Sequence, residues 1–114
     1  MSYTNAVKHD ALGVSESTLN AYGAVSESTA CEMADGARER LGADIAVSVT
    51  GIAGPGGAEP GKPVGTVWMG ISTKSGTSAR LFTFDGDRDS VRSQTVCAAL
   101  EQVLLSIESM QGQR

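Results

Sequence analysis

Hydrophobic positions change their period several times along this 114-residue chain. Met1 to Thr4 are too few for a free-standing strand. A short helix over Ala6–Leu12 follows, with Asn5 as its cap and Gly13 as its stop. Val14-Ser15-Glu16-Ser17-Thr18 then recurs as Val25-Ser26-Glu27-Ser28-Thr29. The period is too short for a repeat architecture and reads as two helix starts, each with Ser as N-cap and Glu in the positive first turn. After Ser26, Ala30, Met33, Ala34, Ala37 and Leu41 follow the i, i+3, i+4 spacing of an amphipathic helix, closed by Gly42.

The period then drops to two. Ile45, Val47 and Val49 alternate with Ala46, Ser48 and Thr50, a strand with one large and one small face. All three prolines fall in the glycine-rich stretch Gly51–Pro63. Two strands are expected beyond it, Val64–Thr73 and Ser78–Asp85, joined by a hairpin turn at Lys74-Ser75-Gly76-Thr77. A last helix starts near Asp89 or Ser90, with Val96, Ala99, Leu100, Val103, Leu104 and Ile107 as its buried stripe. The order predicts one α/β layered domain with a mixed sheet and no internal linker.

Composition narrows the classes. Nine Lys and Arg against thirteen Asp and Glu give a net charge of -4, which argues against nonspecific binding to nucleic acid or an anionic membrane. Hydrophobic residues at 40% and charged ones at 19% exclude a disordered tail. No apolar run reaches the roughly 20 residues of a membrane helix, and the polar N-terminus is no signal peptide. Fourteen glycines, fourteen alanines and only five aromatics point to helices packed closely on a sheet. Cys31 and Cys97 lack metal-ligand spacing and read as reduced core residues in a cytoplasmic setting.

The candidate chemistry is local. Gly56 through Lys62 spells G-x-x-x-x-G-K, but Pro63 replaces the metal-binding hydroxyl and a strand follows where a phosphate loop needs a helix. Asp85-Gly86-Asp87-Arg88-Asp89 resembles a calcium loop, yet Ser90 replaces the required glycine and Val96 the final Glu. Thr50-Gly51 and the glycines beyond end a strand, where α/β folds bind ligands; a plain surface loop fits the composition equally well. Arg88 beside a helix start suits a phosphate or carboxylate clamp, or pairs with its neighbouring aspartates. His9, the only histidine, reads as a surface residue. Tyr3, Asn5 and Lys8 form Y-x-N-x-x-K; a desolvated Lys8 would act as base toward a hydroxyl nucleophile, with Tyr3 assisting, although a helix-surface lysine is the plainer account.

Several stretches together resemble one family, the C-terminal domain of CinA (competence/damage-inducible protein), also found alone as nicotinamide-nucleotide amidase. They are Tyr3-Thr4-Asn5-Ala6-Val7-Lys8, Leu12-Gly13-Val14, Gly23-Ala24-Val25-Ser26-Glu27, Met33-Ala34-Asp35-Gly36, Thr50-Gly51-Ile52-Ala53-Gly54-Pro55-Gly56-Gly57, Lys62-Pro63-Val64-Gly65 and Gly86-Asp87-Arg88. The resemblance runs from residue 3 to about 104. It implies a three-layer αβα domain and hydrolysis of the carboxamide of nicotinamide mononucleotide to nicotinic acid mononucleotide and ammonia, a salvage step needing no metal or cofactor. Tyr3 and Lys8 match the catalytic tyrosine and lysine. Asn5, Thr50, Gly51, Ala53, Gly54 and Arg88 match the substrate pocket, with Arg88 on the nucleotide.

One departure stands out. Family members carry a further strand, helix and E-S-C-T-G-G motif before the tyrosine, supplying the nucleophilic serine, and that motif does not occur here. Ser26 and Ser48 are the nearest serines by neighbourhood. Three readings stand: a fragment or late-start chain, a short homologue that binds a nucleotide or a protein without catalysis, or recruitment of another serine or a partner's residue. Loss of a strand and helix would bare a sheet edge and an apolar face, so a homo-oligomer is expected.

Overall fold

The computed structural model describes residues 9 and 12–112, with side chains to residue 110. Of the expected helix over Ala6–Leu12, His9 and Leu12 are helical; the remainder lies outside the described residues. Gly13, at φ +75°, donates its N–H to the His9 carbonyl at 3.0 Å and ends that turn. Helices α1 (Glu16–Tyr22) and α2 (Glu27–Leu41) follow, then strands β1 (Ile45–Gly51), β2 (Thr66–Thr73) and β3 (Gly76–Thr83), and helix α3 (Arg88–Gly112).

The repeated V-S-E-S-T segments do start two helices. The Ser15 hydroxyl accepts from the Thr18 N–H and Ser26 from Thr29, each at 3.2 Å, with Glu16 and Glu27 in the first turns. Gly42 closes α2 in the left-handed conformation at φ +64°, as its sequence position predicts.

The sheet order is β1-β2-β3. Both pairings among the described residues are antiparallel, from Ile45↔Thr73 to Gly51↔Val67 and from Thr66↔Thr83 to Thr73↔Gly76. The parallel pairing that a mixed sheet requires is not among them. The hairpin turn is tighter than the sequence reading: Lys74 and Ser75 alone form it, and β3 starts at Gly76 rather than Ser78. Gly76, at φ +141°, takes the backbone shape that lets the strand begin there.

α2 lies across the sheet on the small face of β1. The Ser48 hydroxyl, buried, donates to the Ala30 carbonyl of α2 at 2.6 Å. Opposite Ser48 in the register stands Gly70, where a Cβ would sit 2.3 Å from the same carbonyl oxygen. No other residue lets the helix come that close. Farther along, the Arg38 Nε–H donates to the Ser72 hydroxyl, which donates to Asp35, each at 2.8 Å, and the Thr77 hydroxyl also donates to Asp35. Small residues thus set the helix on the sheet, and a polar cluster pins its far half to the hairpin.

Met69 and Val67 alternate to the opposite face and are buried there, and α3 packs against β1 and β2. The α/β class and a helical layer on each side of the sheet therefore hold. The expected α3 stripe does not: Val96, Leu100, Leu104 and Ile107 are exposed, and the helix buries Val91 and Ala98 instead. Apolar residues occur on more than one side of α3, so periodicity allowed two rotational phases, and the sheet takes the less apolar one. Cys97, expected in the core, is exposed on the same outer side. Among the described residues no helix is long and apolar enough to cross a membrane.

The contact at Gly70 is testable. Gly70→Ala should lower unfolding free energy by about 1–3 kcal/mol, the usual cost of forcing a methyl group into a packed interface. Urea denaturation measures it, and an unchanged midpoint would contradict the close helix approach.

Candidate functional site

The glycine-rich segment leaves β1 and folds back on itself. The Ile52 N–H donates to the Thr66 carbonyl at 2.9 Å, and the Gly65 N–H returns to the Ile52 carbonyl at 2.7 Å. Gly54 is buried at φ +85°, where a Cβ would lie 2.6 Å from a Val64 methyl carbon. The peptide bond from Gly54 to Pro55 is cis. Beyond it the Glu59 and Lys62 backbones exchange hydrogen bonds at 2.9 and 2.8 Å, closing a small turn.

Arg88 meets this segment from the start of α3. Its Nη1 donates to the Gly54 carbonyl at 3.0 Å, a contact between residues 34 apart in sequence. Asp87 caps the helix, its Oδ1 accepting from the Ser90 N–H at 2.8 Å. The Gln94 amide donates to the Asp85 carbonyl at 2.8 Å and holds the preceding turn. Between loop and helix lies an open cleft of about 420 Å³, lined by Ala53, Pro55, Val64, Gly86, Asp87, Arg88 and Asp89. That volume falls in the range of small-ligand sites. One carbonyl occupies one guanidinium nitrogen, so the fork keeps further donors for an anion.

Of the candidate site residues, Ala53, Gly54 and Arg88 lie together at this cleft. Gly51 is exposed at the strand end. Thr50 is not part of the cleft wall. It is buried, and its hydroxyl donates to the Ala24 carbonyl at 2.7 Å, tying the turn between α1 and α2 to the end of β1. That contact follows from its place on the small face of β1, beneath α2. Tyr3, Asn5 and Lys8 lie outside the described residues. Sequence reasoning did not single out Val64, Asp87 or Asp89 as cleft residues, nor Lys62, whose Nζ donates to the Tyr22 carbonyl at the end of α1 at 2.8 Å. The K-P-V-G stretch was the available signal for Lys62 and Val64.

The remaining nucleophile candidates are committed elsewhere. Ser26 caps α2 and donates to the Gly23 carbonyl at 3.1 Å. Ser48 sits beneath α2 with its proton on Ala30. His9 places Nδ1 2.7 Å from the Val14 carbonyl, a local contact that fits its reading as a structural surface histidine. Burial pushes the Cys31 thiol upward, and the carboxylates of Glu27, Asp35 and Glu32 add to the effect.

An α/β domain with a ligand-sized cleft beyond a strand end is the class that fold and site define. A sequence profile described as the CinA C-terminal domain matches residues 1–107, and the chain belongs to that family. It is 53% identical over 108 residues to nicotinamide-nucleotide amidohydrolase PncC of Enterobacter agglomerans, covering 91% of this chain and 64% of that protein. It is 50% identical over 101 residues to a putative competence-damage inducible protein of Clostridium tetani, covering 89% of this chain and 25% of that one. Among solved structures, the competence/damage inducible protein of Agrobacterium tumefaciens superposes with a TM-score of 0.85 at 45% identity, over 90% of this chain and 64% of that one. A CinA superfamily protein of Escherichia coli gives 0.84 at 42% identity, over 89% of this chain and 59% of that one. The chain thus spans less than two thirds of these relatives' length.

Two outcomes follow. Thr50→Val keeps the side-chain shape but strands the Ala24 carbonyl, and should cost about 1–2 kcal/mol of stability in denaturant titration. A thiol reagent at pH 8 should label Cys97 before Cys31, and Cys31 labelling should speed up as pH rises, because its raised pKa leaves little thiolate at pH 8. Equal rates for the two would contradict the half-buried, acid-flanked position of Cys31.

Proposed function

We propose that the chain is the nucleotide-binding part of an amidohydrolase acting on nicotinamide mononucleotide, converting its carboxamide to the acid with release of ammonia. The carrying observation is Arg88, fixed to the Gly54 carbonyl on the wall of a cleft of suitable volume, in a chain 53% identical to a nicotinamide-nucleotide amidohydrolase. In this reading the free donors of Arg88 take the phosphate, and the glycine-rich segment lets the ligand approach the backbone. Asp87 keeps its carboxylate on the Ser90 N–H, which limits its repulsion of the phosphate. Lys8 is the base toward a hydroxyl nucleophile and Tyr3 assists proton transfer, with Asn5 holding substrate. No metal or cofactor enters the reaction. A reducing, cytoplasmic setting suits the free thiols Cys31 and Cys97.

The hydroxyl that attacks the carboxamide carbon is neither Ser26 nor Ser48, since freeing either would break a helix cap or a buried hydrogen bond. On this reading residues 1–114 form one domain, and the nucleophilic hydroxyl is neither of these two serines. It binds the mononucleotide, and turnover needs a hydroxyl other than Ser26 and Ser48 placed against the base, because the members of such a site act as a unit. Titration calorimetry with nicotinamide mononucleotide and with the riboside separates the claims. The phosphate ester should bind more tightly, and Arg88→Ala should weaken it by about ten- to a hundredfold while barely changing the riboside. Equal affinity for both ligands would remove Arg88 from the phosphate. An ammonia-release assay as fast as that of a longer relative, abolished by Ser26→Ala or Ser48→Ala, would overturn the nucleophile argument. A chain with no mononucleotide affinity would favour a noncatalytic interaction domain.

A further inference from the structure

Lys62, the lysine of the G-x-x-x-x-G-K stretch, is not on the wall of the Arg88 cleft. Its ammonium crosses instead to α1, donating from Nζ to the Tyr22 carbonyl at 2.8 Å, between residues 40 apart in sequence. Tyr22 is the last residue of α1, and that helix has no basic residue in its own last turn. The final carbonyls of a helix point outward and carry partial negative charge, so a cation from another segment is well received there. Gly23, at φ +80°, keeps the seat open, since a Cβ on it would lie 3.1 Å from Nζ.

The turn that receives the ammonium is itself held. The Gly23 carbonyl accepts from the Ser26 and Thr29 hydroxyls at 3.1 and 2.7 Å, and the Ala24 carbonyl from Thr50 at 2.7 Å. Three successive carbonyls thus take side chains from the glycine-rich segment, from α2 and from β1. Lys62 reaches a fixed point.

What it fastens there is the second limb of the glycine-rich segment. Residues 55–61 are exposed, and a Cβ at Gly56 or Gly61 would meet nothing within 4 Å. Arg88 holds this exposed tip on one side through Gly54, and Lys62 holds it on the other. Two residues past Lys62, Val64 packs against Gly54 and lines the cleft. Little freedom separates the two. Pro63 between them has one backbone dihedral locked, and its carbonyl accepts from the Thr66 N–H and hydroxyl at 3.1 and 2.6 Å. We infer that Lys62 is a positioning residue of the cleft: its bond to Tyr22 fixes the limb that presents Val64, so a ligand meets a preformed wall. A wall ordered in advance removes part of the entropy loss of binding. The inference rests on the amidohydrolase reading for the identity of the ligand alone.

Two variants separate this role from a direct phosphate contact. Lys62→Met keeps the length of the side chain without donor or charge, and Lys62→Arg keeps both. Amide hydrogen exchange on the free chain reads the anchor with no ligand present. Lys62→Met should speed exchange across residues 55–65 by about three- to tenfold and leave α2 at the parent rate, while Lys62→Arg restores the protection. Titration calorimetry reads the wall. Lys62→Met should raise the Kd of nicotinamide mononucleotide and of its riboside by the same factor, about three- to tenfold, with Lys62→Arg near the parent value. Unchanged exchange in Lys62→Met, or no rescue by Lys62→Arg, overturns the proposal. So does a loss confined to the mononucleotide, which would make Lys62 a phosphate contact. A parent chain without mononucleotide affinity fails the amidohydrolase reading instead, and the exchange rates then decide by themselves whether Lys62 fixes the segment.

Discussion

The closeness of α2 to the sheet is the constraint from which the rest of the molecule follows. Gly70 has no side chain to hold the helix off, and Ser48 spends its proton on the Ala30 carbonyl. The helix therefore sits directly on the small side chains of β1. On its other side, a Cβ at Gly36 would lie 1.6 Å from the Leu12 carbonyl oxygen, so the segment before α1 is equally tight. Packing of this kind depends on surface fit rather than on large side chains, which is why five aromatics suffice for 114 residues. It also places the ends of the strands. Once α2 is seated, Thr50 reaches the Ala24 carbonyl, and β1 must release the chain into the glycine-rich segment at a defined height.

That height is what assembles the cleft. The segment after β1 folds back through Ile52 and Gly65, which brings Val64 against Gly54. A side chain at Gly54 would collide with Val64, so the backbone turns there at positive φ with its carbonyl available to Arg88. Arg88 in turn starts α3, whose cap is Asp87. The same few residues thus terminate a strand, start a helix and line a cavity. Function at strand ends comes readily in such folds because the loops are held by the scaffold while their own surfaces stay open.

Much of this was legible in the residue pattern, and the failures have physical causes. Ser15 and Ser26 were readable as caps because capping is local chemistry, decided within four residues. The alternation of β1 was readable too, but not which face is buried; pattern reading favours the large face, and the helix chose the small one. In α3 the pattern named a real apolar stripe and assigned it to the wrong surface, since periodicity reports that a face exists and is silent on what it meets. At the candidate site, Gly54 and Arg88 stood out in the sequence because glycine and arginine carry their chemistry wherever they stand, and the structure joins them through one hydrogen bond. Thr50 was harder to place because a hydroxyl serves equally as ligand or as brace, and its hydrogen bond to Ala24 shows it bracing.

Hydroxyl groups show how scaffold and chemistry are divided in this domain. Ser26 and Thr29 both place their protons on the Gly23 carbonyl, Ser48 on Ala30, Thr50 on Ala24 and Thr66 on Pro63. Each satisfies a group that burial would otherwise leave unpaired, and none is held ready for a base. A nucleophilic hydroxyl needs the opposite circumstances: an acceptor that takes its proton only during reaction, and a position from which the oxygen can move toward a carbon. Hydroxyls already spent on main-chain carbonyls cannot meet both demands without dismantling the cap or interface they serve. Among the described residues the cleft beside Arg88 is lined by glycine, alanine, valine, proline and acids, with no hydroxyl side chain on its wall. What the described part of the domain offers is recognition: a guanidinium with donors to spare, a closely approachable backbone and a rigid floor. On the proposed amidohydrolase reading, attack on the amide then falls to a group other than these hydroxyls.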